Sequence, residues 1–201
     1  MTLDQIIREV QRELRVVQDG KPGPGTWSAI HERIVPRVVP TVVTGGRVDD
    51  RSERMIATLV PEVRGYARTL VQRAAAMGVE IKVISGTRTY EAQDALYAQG
   101  RTAPGSIVTK ARGGYSNHNF GIAFDIGVFE GTEYIGESPK YAAVAAIAKD
   151  LGLEWGGDWK SIQDQPHFQL RPVWALGMKE SVMLAQLRAR VAAGKPIFDG
   201  P

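Results

Sequence analysis

Histidine occurs three times in the 201 residues, and two of the three stand among other groups able to bind a cation. His118 falls within Ser116-Asn117-His118-Asn119-Phe120-Gly121-Ile122-Ala123-Phe124-Asp125, and His167 within Asp164-Gln165-Pro166-His167-Phe168. His118, Asp125 and His167 together are a sufficient ligand set for a catalytic zinc, with one coordination position left open for water. Cysteine is absent, so thiolate ligands, disulfides and cysteine nucleophiles are excluded, and imidazole and carboxylate remain as the strong metal ligands. A single histidine near a strand is more often a hydrogen-bonded structural residue. It is the combination, two histidines each close to an acid, that makes a metal site the expectation. His31, the third, has no acid at ligand spacing and reads as structural or exposed.

The elements that must carry these ligands follow from side-chain alternation. From Ile122 to Phe129 the bulky Ile122, Phe124, Ile126 and Val128 alternate with Ala123, Asp125 and Gly127, so a strand there buries one face and leaves a small-residue face bearing one carboxylate. In Pro166 to Leu170, Phe168 and Leu170 share the core side while His167 and Gln169 share the other. A helix is expected between them from Pro139 to Leu151, opened by Ser138 and Pro139, followed by the Gly- and Trp-rich stretch Gly152 to Trp159. Upstream, a helical region from Arg51 to Met77 is interrupted or restarted at Pro61, with Val63, Tyr66, Ala67, Leu70, Val71, Ala74 and Met77 inward and Gly78 as the stop. Val79 to Ser85 reads as a strand, Tyr90 to Gln99 as a helix, and Gly100 to Asn119 as a long loop of the kind that is often functional. A last helix, about Met178 to Ala193, packs through Val182, Leu184 or Ala185, Leu187 and Val191.

The first 45 residues read differently from the rest. Leu3, Ile6, Ile7, Val10, Leu14 and Val17 give a helix with one apolar face, and a second short helix is expected with Thr26 as its cap. Between them Asp19-Gly20-Lys21-Pro22-Gly23-Pro24-Gly25-Thr26 resembles the loop of small peptidoglycan-binding modules, over about 35 residues only. A helical hairpin packed on the main domain is the alternative. Residues 35 to 50 read as a linker or extended arm. The expected organisation is residues 1–45 as a helical segment with linker and 46–201 as a catalytic domain with a C-terminal helix.

The ligand motifs resemble a known family. Ser-x-His-x-x-Gly-x-Ala-x-Asp at Ser116 to Asp125, with Asp-x-Pro-His-Phe at Asp164 to Phe168, is similar to the M15 zinc DD/LD-peptidases, within them the phage L-alanyl-D-glutamate endopeptidases, or endolysins. Ser85-Gly86-Thr87-Arg88-Thr89, Gln93, Leu96, Gly100-Arg101-Thr102 and Trp155-Gly156-Gly157-Asp158-Trp159 match further landmarks, so the resemblance spans residues 50 to 170. It implies an α+β domain of the Hedgehog/DD-peptidase type, a small and largely antiparallel sheet flanked by helices. It implies Zn2+ on His118, Asp125 and His167, Asp164 as general base and Arg88 as oxyanion partner. Carboxypeptidase and dipeptidase branches usually place Glu where Asp164 stands, and the shorter acid favours the endopeptidase branch. The alternative for Arg88 is a salt-bridging surface residue. Ser116 could orient a ligand or touch substrate, or bond its own backbone. Trp155, Asp158 and Trp159 are candidates for a substrate groove, or else core aromatics and a turn residue. Glu154 is a rival base without matching spacing.

The bulk properties agree with such an enzyme. A net charge of +3 and a pI near 9.2 suit an anionic polymer such as the cell wall. The basic residues are scattered among acids, so nucleic acid is not an expected partner. No stretch suits membrane insertion, and Met1 to Glu9 has neither a basic start nor an apolar h-region. The expectation is therefore a monomer made in the cytoplasm without a signal peptide, which reaches peptidoglycan stem peptides after holin-type release. The rival activities are D-Ala-D-Ala carboxypeptidase of the same family and a non-catalytic wall-binding or virion protein.

Overall fold

A computed structural model describes residues 1–34, 46–160 and 163–199. The chain divides into two compact units, Met1–Thr41 and Val42–Pro201. The segment 35–45, expected as a linker, lies outside the described residues.

In the first unit, α1 (Leu3–Glu13) is opened by a capping box in which Thr2 and Gln5 exchange side-chain and backbone bonds. Its apolar stripe is not its buried face. Leu3, Ile6, Val10 and Val17 are exposed, whereas Gln11 is buried. The reason is the loop that follows: the two hydrogens on Gln11 Nε2 are shared among Asp19 Oδ1, the Lys21 carbonyl and Thr26 Oγ1, and its Oε1 accepts from the Gly20 N–H. One amide thus organises the whole turn. The second helix, α2 (Pro24–Ile34), starts earlier than expected, with Pro24 at its first position, so Thr26 lies inside it and serves Gln11 instead of capping. His31 falls on this helix.

In the second unit, Asp49 caps α3 (Asp50–Ile56) through the N–H groups of Arg51 and Ser52. Pro61 then restarts the chain as α4 (Pro61–Ala76). The strands β1 (Ile81–Ser85), β2 (Ala123–Glu130), β3 (Glu133–Ile135), β4 (Glu154–Trp155) and β5 (His167–Gln169) form one sheet in the order β1-β2-β5-β4, with β3 pairing β2. All four pairings are antiparallel. Helices α5 (Tyr90–Ala98), α6 (Lys140–Asp150) and α7 (Glu180–Ala192) complete the unit. The α+β architecture with a small antiparallel sheet flanked by helices is as expected.

The core lies between the sheet and α3, α4 and α6. Phe124, Ile126, Val128 and Phe168 bury one face of the sheet against Ile56, Val63, Leu70, Tyr141 and Val144. Each such side chain contributes about 1.5–3 kcal/mol by leaving water. A second cluster of Phe120, Ile122, Met183, Leu184 and Leu187 joins α7 to the start of β2. The inner face of α7 is therefore Met183, Leu184 and Leu187, while Val182 and Val191, expected to pack, are exposed; so is Met77, at the end of α4. Helix α3 lies along β1, and the fully buried Ser52 accepts the Val83 N–H on Oγ at 2.9 Å.

Candidate metal centre and active site

Strand pairing brings two of the three expected ligands together. In the β2–β5 ladder Phe124 faces Phe168 and Asp125 faces His167, so when the phenylalanines stack on the core side the carboxylate and imidazole emerge together on the other. His118 arrives from a 3-10 turn, Asn117–Phe120, immediately before β2. Gly121 ends that turn with φ +69°, and a Cβ there would lie 3.0 Å from Val60 Cγ1. Only glycine meets both demands comfortably. The reversal it permits folds His118 back over Asp125.

The protein fixes which nitrogen of each histidine is free. His118 Nδ1 lies 2.8 Å from the Gly86 carbonyl, which can only accept, so Nδ1 carries the proton and Nε2 a lone pair. On His167 the argument runs through Gln169. Its amide nitrogen donates to Glu154 Oε2 at 2.7 Å, so its Oε1 must be the atom 2.9 Å from His167 Nε2. His167 Nε2 is then the donor and Nδ1 the lone pair. The remaining atoms form a triangle: His118 Nε2 to Asp125 Oδ1 is 3.2 Å, His118 Nε2 to His167 Nδ1 is 3.2 Å, and His167 Nδ1 to Asp125 Oδ1 is 3.3 Å. With no proton between them such atoms repel, whereas a tetrahedral metal site with bonds of about 2.0 Å has edges of about 3.3 Å. The donor set fits a zinc-sized cation. Among the described residues these are the three side chains that converge in this way.

The electrostatics point the same way. Burial opposes the charge of Asp125, yet His118 and then His167 hold its carboxyl well below the usual range. Burial disfavours charge on His167 too, but Asp125 lifts it above the ordinary imidazole value, so that without a cation the centre draws in a proton where the cation would sit. The centre attracts positive charge.

Around it stand the other expected groups. Arg88 Nη2 donates to Asp125 Oδ2 at 3.0 Å and to Ser85 Oγ at 3.3 Å, and Nη1 donates to Gln93 Oε1. It is thus bound to the ligand carboxylate, leaving Oδ1 for the triangle. Asp164 lies half-buried outside the triangle; burial, and then the charge of Asp125, raise its carboxyl above the usual range. Ser116 opens the 3-10 turn, and Asn119 Oδ1 accepts its N–H at 3.3 Å. Trp159 presents its ring to His167, with centroids 4.8 Å apart.

Trp155 and Asp158 are elsewhere. Trp155 is opposite Phe168 in the β4–β5 ladder and packs with it on the core side, its Nε1 donating to the Gln165 carbonyl. Asp158 pairs with Lys149 at 2.7 Å on the surface. Neither is placed as a groove residue, because the pleat turns Trp155 inward and the helical turn that follows carries Asp158 outward. Glu154, the rival base, is engaged by Gln169 and by Arg171 at 2.5 Å. Asn117, Gln169, Arg171 and Glu180 are polar neighbours that motif spacing did not single out. Two signals were available: Asn117 directly precedes His118, and Gln169 shares the face of His167.

Known proteins resemble the chain over the segment that bears this site. The M15 peptidase profile described as D-alanyl-D-alanine carboxypeptidase matches residues 109–170, which include the triangle and Asp164. The peptidoglycan L-alanyl-D-glutamate endopeptidase CwlK of Bacillus subtilis (strain 168) is 42% identical over 124 residues, 57% of this chain and 74% of that protein. This chain belongs to the M15 peptidase family. The L-alanyl-D-glutamate peptidase of Listeria phage A118 is a further relative of this M15 peptidase, 30% identical over 122 residues, which are 59% of this chain and 40% of the phage protein. Among solved structures, the Serratia marcescens L-Ala D-Glu endopeptidase ChiX is 26% identical, with a TM-score of 0.46 over 63% of this chain and 91% of its own. In this M15 peptidase Arg88, Arg171 and Glu180 lie outside the matched segment.

Proposed function

We propose that this protein is a zinc-dependent endopeptidase that cuts the L-Ala–D-Glu bond of peptidoglycan stem peptides, and that it serves as a phage or prophage endolysin. The observation that carries the metal is the triangle of His118 Nε2, Asp125 Oδ1 and His167 Nδ1 with edges of 3.2–3.3 Å. Support for the bond comes from the two L-alanyl-D-glutamate relatives, and for a lysin from the phage origin of one of them. Stem-peptide carboxylates also suit a chain with net charge +3.

His118 Nε2, Asp125 Oδ1 and His167 Nδ1 would hold the ion. Bound there, zinc would supply Lewis acidity, which lowers the pKa of a water to about 7 and polarises a carbonyl. Asp164 takes a proton from the attacking water as its oxygen bonds to the L-Ala carbonyl carbon, then gives that proton to the D-Glu nitrogen as the C–N bond breaks. Arg88 has two tasks. It aligns Asp125, and its cationic guanidinium faces the negative charge that develops on the carbonyl oxygen. Ser116 and Trp159 border the substrate.

The test is mass analysis of purified peptidoglycan digested by the zinc-loaded protein. New amino-terminal D-Glu is expected. Free D-Ala would make the enzyme a carboxypeptidase, and no new amino termini would remove the peptidoglycan assignment.

A further inference from the structure

Behind His167 the centre continues into a chain of polar side chains drawn from four separate elements. Gln169 Oε1 accepts from His167 Nε2 at 2.9 Å and from Asn117 Nδ2 at 2.5 Å, and Gln169 Nε2 donates to Glu154 Oε2 at 2.7 Å. Arg171 then bridges Glu154, at 2.5 Å, and Glu180, at 2.6 Å. Asn117 Nδ2 closes the ring by donating to Glu180 Oε1 as well. Gln169 is 1% exposed and Asn117 6%.

Each link dictates the next. Arg171 is always charged and holds both carboxylates as acceptors. Glu154, as an acceptor, turns the Gln169 amide so that its oxygen faces His167. That oxygen requires a proton on Nε2, and so leaves Nδ1 bare toward Asp125. Asn117 supplies independent evidence that the ring is dictated. Among the described residues its Oδ1 is buried without a partner, yet the amide cannot flip, because the two atoms its nitrogen serves are both acceptors.

We infer that Gln169 is a positioning residue that sets the tautomer and rotation of His167 on instruction from Glu154, Arg171 and Glu180, which makes helix α7 part of the metal centre. The inference rests on the metal site proposed above. It gives a purpose to a pair, Arg171 and Glu180, that lies beyond the segment matched by the family profile. Partners of this kind change metal affinity by about 10–100-fold when lost.

The experiment measures zinc affinity by competition with a chromophoric chelator, the visible spectrum of the Co2+-substituted protein, and thermal unfolding of the metal-free protein. Gln169→Leu is expected to weaken zinc about 10–100-fold and to alter the cobalt spectrum. Glu180→Gln, which keeps an acceptor for Asn117 but gives up a charge on Arg171, is expected to weaken zinc several-fold, and it keeps the test open if the first variant folds poorly. The double variant Gln169→Glu/Glu154→Gln reverses donor and acceptor while preserving an acceptor for His167, and should recover affinity and spectrum relative to Gln169→Leu. Wild-type affinity and spectrum in all three variants would overturn the positioning role while leaving the metal site standing. So would a weakening that tracks only the loss of thermal stability and is not rescued by the double variant. Failure of the wild-type protein itself to bind zinc would remove the metal site, and the inference with it.

Discussion

At the scale of residues, Asp164 and the triangle have separable duties. Asp164→Asn keeps the shape of the side chain and touches none of the three donor atoms, so zinc content should stay at the wild-type level. Cleavage of peptidoglycan should fall about 10²–10⁴-fold, the usual worth of a general base; measured turnover equal to wild type would end the base assignment. The convergence of His118, Asp125 and His167 was legible in the sequence because they stand at fixed places on two strands and a tight turn. Trp155 and Asp158 were not, since β4 is only two residues long and shows no alternation from which a face could be read. The polar ring behind His167 escaped for another reason: its members come from positions 117, 154, 169, 171 and 180, and only the folded sheet makes them neighbours.

At the scale of elements, the 3-10 turn Gly156–Asp158 that follows β4 sets how closely the segment bearing Asp164 and His167 can approach. The Gly156 carbonyl accepts the Asp164 N–H at 3.0 Å, and a Cβ on Gly156 would lie 2.5 Å from the Asp164 carbonyl oxygen and 2.9 Å from His167 Cβ. Gly156→Ala must therefore push the base and a ligand away together. A loss of about 1–3 kcal/mol, typical of overpacking, should appear as a melting temperature lowered by several degrees in the metal-free protein. Zinc affinity should fall with it. An unchanged melting curve would show that the segment yields freely. The periodic elements α4, α5 and α6 and the core face of β2 were readable from spacing, because burial enforces their pattern. Helix α1 shows the limit of that rule: its stripe looked like a packing face, but a single glutamine that binds three loop groups and Thr26 of α2 outweighs it locally.

At the scale of the molecule, one ion pair links the entry of the second unit to its longest helix. Glu53 on α3 takes a paired bond from Arg68 on α4 and also accepts the Val48 N–H. The Arg68 bond is the main cause that brings the Glu53 carboxyl down from 4.5 to about 2, against an opposing effect of burial. Because the folded value lies below the unfolded one, the stabilisation is complete above about pH 4.5 and is lost as pH falls toward 2. With solvent screening it amounts to about 1–2 kcal/mol. Urea unfolding should therefore separate wild type from Glu53→Gln by that margin at pH 6 and bring the two together near pH 2; an equal gap at both pH values would exclude the linkage. The same corner of the molecule has a second consequence. Strand β1 is one of the outer strands of the sheet, and an outer strand is normally a template on which another chain can lay a strand of its own. Ser52 already occupies the Val83 N–H, and α3 lies along that edge. One buried hydroxyl thus helps keep copies of the protein from stitching together edge to edge when many accumulate in one place.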